Sequence, residues 1–285
     1  MAVQILTDST SYLREDTRNE LNIRMVSLNL SFGNDSMREI DIDYETFYSM
    51  MSAKGIPTSS QPSIGELYQE MTSAIEMGDS LCCIFLSSDM SGTYASALMV
   101  KDMVLEEHKN ARIEIVDSRS NCMQLGFAVV MAARAAKAGK TLDQVKEAAL
   151  ENIRRSRFLF IPDNLDYLKK GGRIGGASAL IGNLFKIIPI LTVEEGKTTV
   201  LMKVRTKNSA VIAMVDKMLQ DISMYGLGEI AVLHINCLQE ARELVTLIKK
   251  KKAVEIDVMD IGPVIGLHVG PGAIAIAYYT EKPLR

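Results

Sequence analysis

The sequence predicts an α/β protein in which an amino-terminal domain with a parallel sheet precedes a carboxyl-terminal α+β domain. In the first half, a short apolar run, a polar loop and a helical pattern follow one another four times. This alternation is typical of a doubly wound parallel sheet, whose polar loops gather along one edge. Beyond residue 157 the pattern changes to closely spaced strands. We therefore predict two domains, residues 1–157 and residues 158–285.

The composition argues against several classes of function. The chain of 285 residues has a formal net charge of −3, so no basic surface for nucleic acid is expected. Its four cysteines lack the spacing of metal ligands and predict reduced core thiols. No apolar run approaches the ~20 residues that span a bilayer, and the start does not resemble a signal peptide. We expect a cytoplasmic protein without a stable membrane anchor, in at most transient contact with a membrane surface.

The first strand, Val3–Leu6, ends in a polar loop that contains Asp8. This carboxylate can orient a ligand or a hydroxyl group, or it can cap a turn. A second strand is predicted at Arg24–Leu30, and Asp43 is expected to cap a helix over Tyr44–Met51.

Segment 57–63 contains four hydroxyl residues and two prolines. Ser63 and Glu66 have the spacing of a capping box, so Ser63 is expected to begin a helix. Ser59 and Ser60 are then free for another role. Because the prolines restrict this loop, holding a ligand costs it little entropy. The alternative is a stiff connector that binds nothing.

The apolar run Leu81–Leu86 predicts a buried strand that ends in a hydroxyl-rich loop, and a helical pattern begins at Tyr94. Ligands in open α/β sheets bind at such junctions, where a helix start offers unpaired N–H groups. Ser91 adds a hydroxyl group, and Gly92 lets a ligand approach the backbone. The alternative is that Ser91 only caps the helix.

The last unit of the first domain is the strand Ile113–Val116 with an alanine-rich helix over Met123–Lys137. Thr141 and Gln144 have capping-box spacing at the start of the next helix.

The second domain is predicted to begin with the strand Phe158–Ile161 and a short helix at Asn164–Lys170. The glycine-rich segment 171–176 has neither Walker nor dinucleotide-binding spacing, so a phosphate- or nucleotide-binding role has weak support. A hairpin with a four-residue turn is expected to join Ile187–Val193 to Thr198–Val204. The remaining predictions are a helix at Ser209–Ile222, strands at Glu229–Ile235, Val254–Val258 and Ala273–Tyr279, and a helix between the first two of these strands.

Of the three histidines, His268 is the candidate for ligand contact. It lies beside a Gly-Pro-Gly turn, which places a polar side chain on a rigid loop among apolar residues. His108 lies in a charged segment and is expected to be solvated. His234 alternates within a strand and is expected in the core or in the wall of a site.

Seven motifs occur in the same order as in the DegV family, which essentially the whole chain resembles. They are Thr-Asp-Ser-Thr at 7–10, Ser-Gln-Pro at 60–62, Ser-Gly-Thr-Tyr at 91–94, Asp-Ser at 117–118, Leu-Lys-Lys-Gly-Gly-Arg-Ile at 168–174, Ile-Gly-Asn-Leu at 181–184 and His-Val-Gly-Pro-Gly at 268–272. The resemblance implies a bacterial fatty-acid-binding protein that holds one long-chain fatty acid in a tunnel between its two domains. We expect the tunnel lining to include Met71, Met99, Phe185, Ile187 and Leu267.

The resemblance also implies which residues contact the ligand. Ser91 and Gly92 match the family's carboxylate-binding loop, and His268 matches its histidine near the ligand head group. Ser59 lies where the family usually has threonine, which keeps the hydroxyl group but leaves its rotamer less fixed. The neighbouring Ser60 is included in the expected carboxylate site.

The family includes the acyl-binding subunit of bacterial fatty acid kinase, so the resemblance implies a carrier and not an enzyme. Such a carrier presents the carboxylate to a separate ATP-dependent kinase and carries the acyl phosphate. Arg173 and Arg205 match basic positions associated with docking or activating that kinase. Val269 stands where threonine is common, which removes a possible donor near the head group. Apart from the bound fatty acid, no cofactor and no metal are expected.

The main alternative is a serine hydrolase, whose triad would consist of Ser91, His268 and either Asp8 or Asp117. The residue types are present, and triads are recognised by geometry. Against this alternative, Ser91 is not part of a Gly-x-Ser-x-Gly nucleophile elbow.

Overall fold

The computed structural model describes residues 2–180 and 187–284. The strands of this part are β1 (Val3–Asp8), β2 (Ile23–Val26), β3 (Asn29–Phe32), β4 (Asp35–Arg38), β5 (Thr58–Ser60), β6 (Ser80–Phe85), β7 (Ile113–Asp117), β8 (Ser156–Ile161), β9 (Ile188–Glu194), β10 (Lys197–Val204), β11 (Ile230–His234), β12 (Asp257–Asp260) and β13 (Ile274–Tyr279). Its α-helices are α1 (Glu15–Leu21), α2 (Tyr44–Lys54), α3 (Ile64–Glu76), α4 (Thr93–Glu107), α5 (Cys122–Lys137), α6 (Leu142–Arg155), α7 (Asp166–Lys170), α8 (Lys207–Tyr225), α9 (Leu238–Lys251) and α10 (Pro263–Val269). Within these residues, none of the helices has the length and apolar character to cross a membrane.

Four parallel strands form the amino-terminal sheet, in the order β2-β1-β6-β7. Successive side chains of a strand point to opposite faces of a sheet. On β6, Cys83 accordingly packs with residues of α3 and α4, whereas Cys82 packs with residues of α5 and α6. The predicted parallel sheet with helices on both faces is confirmed.

Side-chain caps explain where several helices begin. Asp43 caps α2 as predicted, and the predicted capping box at the start of α6 is complete. At α3, Ser63 Oγ accepts a hydrogen bond from the N–H of Glu66 at 3.1 Å. The Glu66 carboxylate accepts instead from the N–H of Ser27 at 3.0 Å. The capping box predicted here is therefore only half formed.

The single strand predicted at Arg24–Leu30 is wrong, because the chain divides there into β2 and β3. The N–H groups of Ser27 and Leu28 donate to side chains, that of Leu28 to Ser9 Oγ at 3.1 Å, so the backbone leaves the parallel ladder. β3 instead pairs antiparallel with β4 and β5 in a separate three-stranded sheet. Ser59 therefore lies on a strand and not on a free loop.

The carboxyl-terminal sheet has the order β10-β9-β8-β13-β11-β12. It is mixed, since β11 and β12 are parallel and the other neighbouring pairs are antiparallel. Its first strand in the chain, β8, begins at Ser156, close to the predicted change at residue 157. The sheet therefore belongs to the second half of the chain.

The hairpin β9–β10 has a two-residue turn, so the four-residue turn predicted for it is wrong. Glu194 pairs with Lys197, and the turn consists of Glu195 and Gly196. Their φ values are 49° and 78°, which is the left-handed geometry of a type I′ turn. The hairpin tip reaches the amino-terminal domain, where Ser87 Oγ donates a hydrogen bond to the Gly196 carbonyl at 2.8 Å.

The two sheets share a hydrophobic core. α5 packs against β1 of the first sheet and against β8 and β13 of the second. Its side chains Leu125 and Phe127 are buried. One cluster of buried side chains therefore extends from Ile5 on β1 to Ala275 on β13.

Candidate functional site

A cavity of about 110 Å³ lies between the two domains. One water molecule needs roughly 10–15 Å³ by this measure, so the cavity can admit a larger group. Its walls come from β5, the loop after β6, β8, the hairpin β9–β10 and α10. The lining residues are Leu28, Ser59, Ser60, Gln61, Leu86, Met90, Ser91, Gly92, Asn121, Phe158, Phe160, Leu168, Arg173, Val193, Thr198, Val264, Ile265, His268 and Val269.

Five of these residues form what we call the polar cluster: Ser59, Ser60, Ser91, Arg173 and His268. Ser59 Oγ lies 2.9 Å from His268 Nε2, although 209 residues separate the two in sequence. Arg173 Nε donates to the carbonyl of Met90, the neighbour of Ser91, at 3.0 Å. The structure thus brings the predicted carboxylate-site residues to one cavity, with Gly92 beside them.

Ser91 lies just before α4 and not at its N-cap position. The N-cap is Gly92, and it makes no side-chain cap. Ser91 Oγ lies 2.9 Å from Thr93 Oγ1 and accepts from the N–H of Thr93 at 3.3 Å. Ser91 therefore caps the first N–H group of α4 from the position before the N-cap, and its hydroxyl group also lines the cavity.

Gly92 is held against Gln61. A Cβ atom on residue 92 would stand 2.2 Å from Gln61 Oε1. Gln61 is fixed in turn, because its Nε2 donates to Ser96 Oγ on α4 at 2.7 Å. Glycine at position 92 thus permits this close approach of the Gln61 side chain to the start of α4.

His268 lies in α10 and not on a loop as the sequence suggested. Burial, and secondarily the Arg173 guanidinium, lower the pKa of His268 to about 4. The imidazole is therefore neutral at pH 7. Its Nε2 is occupied by Ser59, whereas its buried Nδ1 has no hydrogen-bond partner among the described residues.

The two arginines predicted to dock a kinase lie in different settings. Arg173 lines the cavity and also donates to the Gly171 carbonyl at 2.7 Å. Arg205 is exposed after β10 and does not line the cavity. Their roles in docking stay predictions.

The rest of the lining is largely apolar, and the residues expected there are not the ones observed. Met71 is fully buried on the inner face of α3, and Met99 is 49% exposed on α4. Neither these residues nor Ile187 and Leu267 line the cavity, while Phe185 and the motif at 181–184 lie outside the described residues. The observed apolar side chains include those of Leu28, Leu86, Phe158, Phe160 and Val193.

Asn121 is a lining residue that the sequence reasoning missed. It follows β7, the neighbour of β6, so its loop opens at the same sheet edge as Ser91. Its Oδ1 atom is buried and has no hydrogen-bond partner in the described part of the chain. The Asp-Ser motif at 117–118, four residues earlier, was the available signal, because the carboxyl ends of neighbouring parallel strands meet at one edge.

The hairpin β9–β10 forms one wall of the cavity through Val193 and Thr198. Charged side chains of the amino-terminal domain hold its tip. Asp89 pairs with Arg119 at 2.7 Å and with Lys197 of the hairpin at 3.4 Å. Exposed pairs of this kind contribute little energy each, so we assign them a role in placing the wall and not in stabilising the fold.

A hydrolytic triad is not assembled. His268 Nε2 contacts Ser59 and not Ser91. Asp8 is buried behind the cavity, where it accepts from the N–H groups of Thr10 and Leu86 at 2.9 and 2.8 Å. Asp8 is thus a capping residue, one of the two roles considered for it.

Asp117 is also committed elsewhere, since it accepts from Ser88 Oγ at 2.5 Å and pairs with Arg119. Without a carboxylate at Nδ1, His268 lacks the group that orients a catalytic imidazole. Among the described residues, no group of three or more histidine, cysteine, aspartate or glutamate side chains could hold a metal ion.

These features define a class of protein: a two-domain α/β protein in which loops at the edge of the parallel sheet and strands of the mixed sheet line a largely apolar cavity with a serine–histidine cluster. The sequence model of the DegV family, described as uncharacterised proteins, matches residues 2–281. A DegV domain-containing protein of Clostridium acetobutylicum is 62% identical over 285 residues, which is all of both chains. The protein DegV of Bacillus subtilis is 34% identical and covers 98% of this chain and 99% of its own. The chain therefore belongs to the DegV family, and the resemblance seen in the motifs is confirmed.

Solved structures agree with this assignment. DegV of Bacillus subtilis, described as a fatty acid binding protein, superimposes with a TM-score of 0.88 at 32% identity and covers 98% of this chain and 99% of its own. A DegV family protein of Thermus thermophilus, described by its fatty acid binding, gives 0.85 at 27% identity with 98% and 100% coverage. A stearic acid-binding protein of Eubacterium ventriosum gives 0.89 at 23% identity with 98% coverage of each chain, which supports the fold. The predicted fold class is confirmed.

Proposed function

We propose that this protein binds one long-chain fatty acid in the cavity between its domains, with the carboxylate at the polar cluster. The observation that carries the proposal is the Ser59–His268 contact at a cavity whose other walls are largely apolar. DegV family relatives described as fatty acid binding proteins share this fold. The cavity in this chain has the chemistry that such a ligand requires.

The energetics fit an acyl ligand. Burying one methylene group contributes about 0.8 kcal/mol, so an acyl tail can supply most of the affinity. The head group then only needs hydrogen-bond donors in place of water. Ser59 and Ser91 offer hydroxyl groups, and the Arg173 guanidinium adds a positive charge at the cavity without a carboxylate partner within 4 Å in the described residues.

Native mass spectrometry of the protein as purified tests this proposal. We expect one added mass that matches a fatty acid and that appears as free fatty acid after mild denaturation. Replacing both Ser91 and His268 by alanine removes two head-group contacts, so we expect affinity to fall about 10- to 100-fold. Ser36→Ala, which removes an exposed hydroxyl group on β4, is the matched control.

A protein without added mass that also takes up no offered fatty acid would show that the family fold here lacks the expected ligand. Equal ligand occupancy in the double variant and in Ser36→Ala would place the head group elsewhere.

We further propose that the bound carboxylate is presented to a separate ATP-dependent kinase. In that step a carboxylate oxygen attacks the γ-phosphorus of ATP, ADP leaves, and the protein retains the acyl phosphate. The proposal is supported by the family resemblance and by the sequence, which contains no Walker motif to hold ATP. Arg173 at the cavity and exposed Arg205 are the proposed docking residues. The protein itself would then not be an enzyme.

Hydroxylamine converts acyl phosphate to acyl hydroxamate. Its capture of the product tests whether the separate kinase, and not this protein, transfers the phosphoryl group. We expect no hydroxamate from this protein with ATP and fatty acid alone, and hydroxamate once the kinase subunit is added. Arg205→Ala should slow the reaction with the kinase but leave fatty-acid affinity unchanged, because Arg205 lies outside the cavity. ADP release at the same rate without the kinase would reject the carrier role.

A further inference from the structure

Glu39 is a buried carboxylate that none of the motifs includes. It begins a short 3₁₀ turn after the hairpin β3–β4 of the amino-terminal domain and is 2% exposed. Its side chain accepts hydrogen bonds from the hydroxyl groups of Ser9 and Tyr12. Within the described chain, no cation lies within 4 Å of it. Burying a carboxylate without a cation beside it costs free energy, so Glu39 depends on its hydrogen-bond donors to offset that cost.

The decisive donor comes from the other domain. The N–H of Val264, in the first turn of α10, donates to Glu39 Oε1 at 2.8 Å. The next N–H, that of Ile265, donates to the hydroxyl oxygen of Tyr12 at 3.2 Å. Pro263 begins the helix and has no N–H group. The free N–H groups at the start of α10 are therefore satisfied by the amino-terminal domain.

The contact is close-packed. A Cβ atom on Gly262, the residue before α10, would stand 2.4 Å from the Tyr12 ring and 2.9 Å from Glu39 Oε1. Glu39 and Tyr12 thus pack directly against Gly262 at the start of the helix. A negative charge at this end of a helix is favourable, because the backbone dipoles leave a partial positive charge there.

α10 connects this contact with the cavity. The helix has seven residues, and four of them line the cavity: Val264, Ile265, His268 and Val269. His268 is four residues beyond Val264, which is about 6 Å along a helix. The capped first turn and the His268–Ser59 contact are therefore the two ends of one short rigid unit.

We propose that Glu39, together with Tyr12, is a positioning residue for the head-group end of the cavity, because it fixes the start of α10 and thereby keeps His268 against Ser59. Glu39 contacts α10 and not the cavity, so it acts on the ligand through His268. This inference rests on the proposed fatty-acid function but concerns a residue outside the carboxylate site.

Several titratable groups face Glu39 and bear on how it responds to pH. From the amino-terminal domain these are Asp8, Tyr12, Tyr44 and Cys122. The groove outside it is lined by Arg14, Glu15, Arg18 and Asp260. Burial raises the pKa of Glu39 to about 7, whereas that of His268 is lowered to about 4. The two titrations are therefore well separated.

The test is NMR of the His268 ring in the full chain without added ligand, combined with fatty-acid titrations. In the wild type we expect the His268 signals to shift near pH 7, where Glu39 titrates and the imidazole itself does not. Glu39→Gln should abolish that shift, move the His268 signals and weaken fatty-acid binding roughly 3- to 10-fold. Tyr12→Phe should change binding in the same direction and covers the case in which Glu39→Gln folds poorly.

Asp221→Asn is the matched control. Asp221 is also 2% exposed, but it accepts from Tyr278 and pairs with Arg157 and Lys217 in the carboxyl-terminal domain. This variant should lower the melting temperature without moving the His268 signals.

The outcomes separate the two proposals. A wild type that binds no fatty acid would reject the proposed function, whereas the His268 measurement would still test the role of Glu39. Unchanged His268 signals and unchanged affinity in both Glu39→Gln and Tyr12→Phe would overturn the positioning role alone.

Discussion

Replacing Gly92 by valine is expected to weaken fatty-acid binding about 10-fold while the chain still folds. The added Cβ would stand 2.2 Å from Gln61 Oε1, so the Gln61 side chain must move, which disturbs its hydrogen bond to Ser96. Overpacking costs about 1–3 kcal/mol, and because a flexible side chain takes up the strain here we use the lower half of this range, which corresponds to about 10-fold in affinity. The displaced groups line the cavity beside Ser91, so we expect the cost to appear in binding.

The measurement is a calorimetric titration with a long-chain fatty acid. Gly65→Val is the matched control, because Gly65 also lies at the start of a helix and a Cβ there meets nothing within 4 Å. Neither glycine has a φ in the left-handed range, so backbone strain does not separate the two variants. If the affinities of Gly92→Val and Gly65→Val for the fatty acid differ by less than about threefold, the close contact between Gly92 and Gln61 does not shape the site.

The second large effect concerns stability and pH. Burial raises the pKa of Asp8 from 3.8 to about 6 and that of Glu39 from 4.5 to about 7. At these two groups the folded state therefore binds more protons than the unfolded state between about pH 4 and pH 7. Their contribution to stability is lost as pH rises through this window, and the two shifts correspond to on the order of 3 kcal/mol each.

Other groups act in the opposite direction. Asp16, Asp43 and Asp89 have lowered pKa values, so their contributions are lost as pH falls. His268, with its lowered pKa, also disfavours the folded state in acid. The informative quantity is therefore the difference between the wild type and a variant in which the two buried carboxyl groups no longer titrate.

Urea unfolding of the wild type and of the Asp8→Asn, Glu39→Gln double variant at pH 5 and pH 8 measures this difference. We expect the free energy of unfolding of the wild type to fall by at least about 3 kcal/mol relative to the variant over this range. The amides cost some stability at both pH values, because each replaces one acceptor with a donor, but that cost cancels from the pH difference. Parallel pH dependence in the two proteins would contradict the assignment of these carboxyl groups.

Local sequence patterns predicted much of the fold. The apolar run at β6 is buried on both faces, as its composition requires in a covered parallel sheet. Capping signals located the starts of α2 and α6 because a cap depends on residues three positions apart. Patterns failed where a distant group decided the outcome: β2 and β3 separate because Glu66 and Ser9 capture backbone N–H groups.

The site was predictable to the extent that hydroxyl residues follow strands. Ser91 and Ser59 were found in this way, and the family resemblance added His268. No local signal could show that His268 meets Ser59, because that contact depends on how the two domains pack. Glu39 was missed for the same reason, since its partner Val264 lies 225 residues away. The apolar lining was mispredicted because helix-face residues such as Met71 can pack into either of two cores.

The shared core around α5 has a kinetic consequence. The cavity is an interruption in that core and not a groove between two independent bodies, because β8, α10 and the hairpin β9–β10 contribute both to the core and to the lining. If the proposed function holds, an acyl chain seated there lies among side chains of this shared core. We then expect its residence time to depend on how often these elements separate as well as on its own contacts. Rapid delivery would require a recipient that favours the opened form.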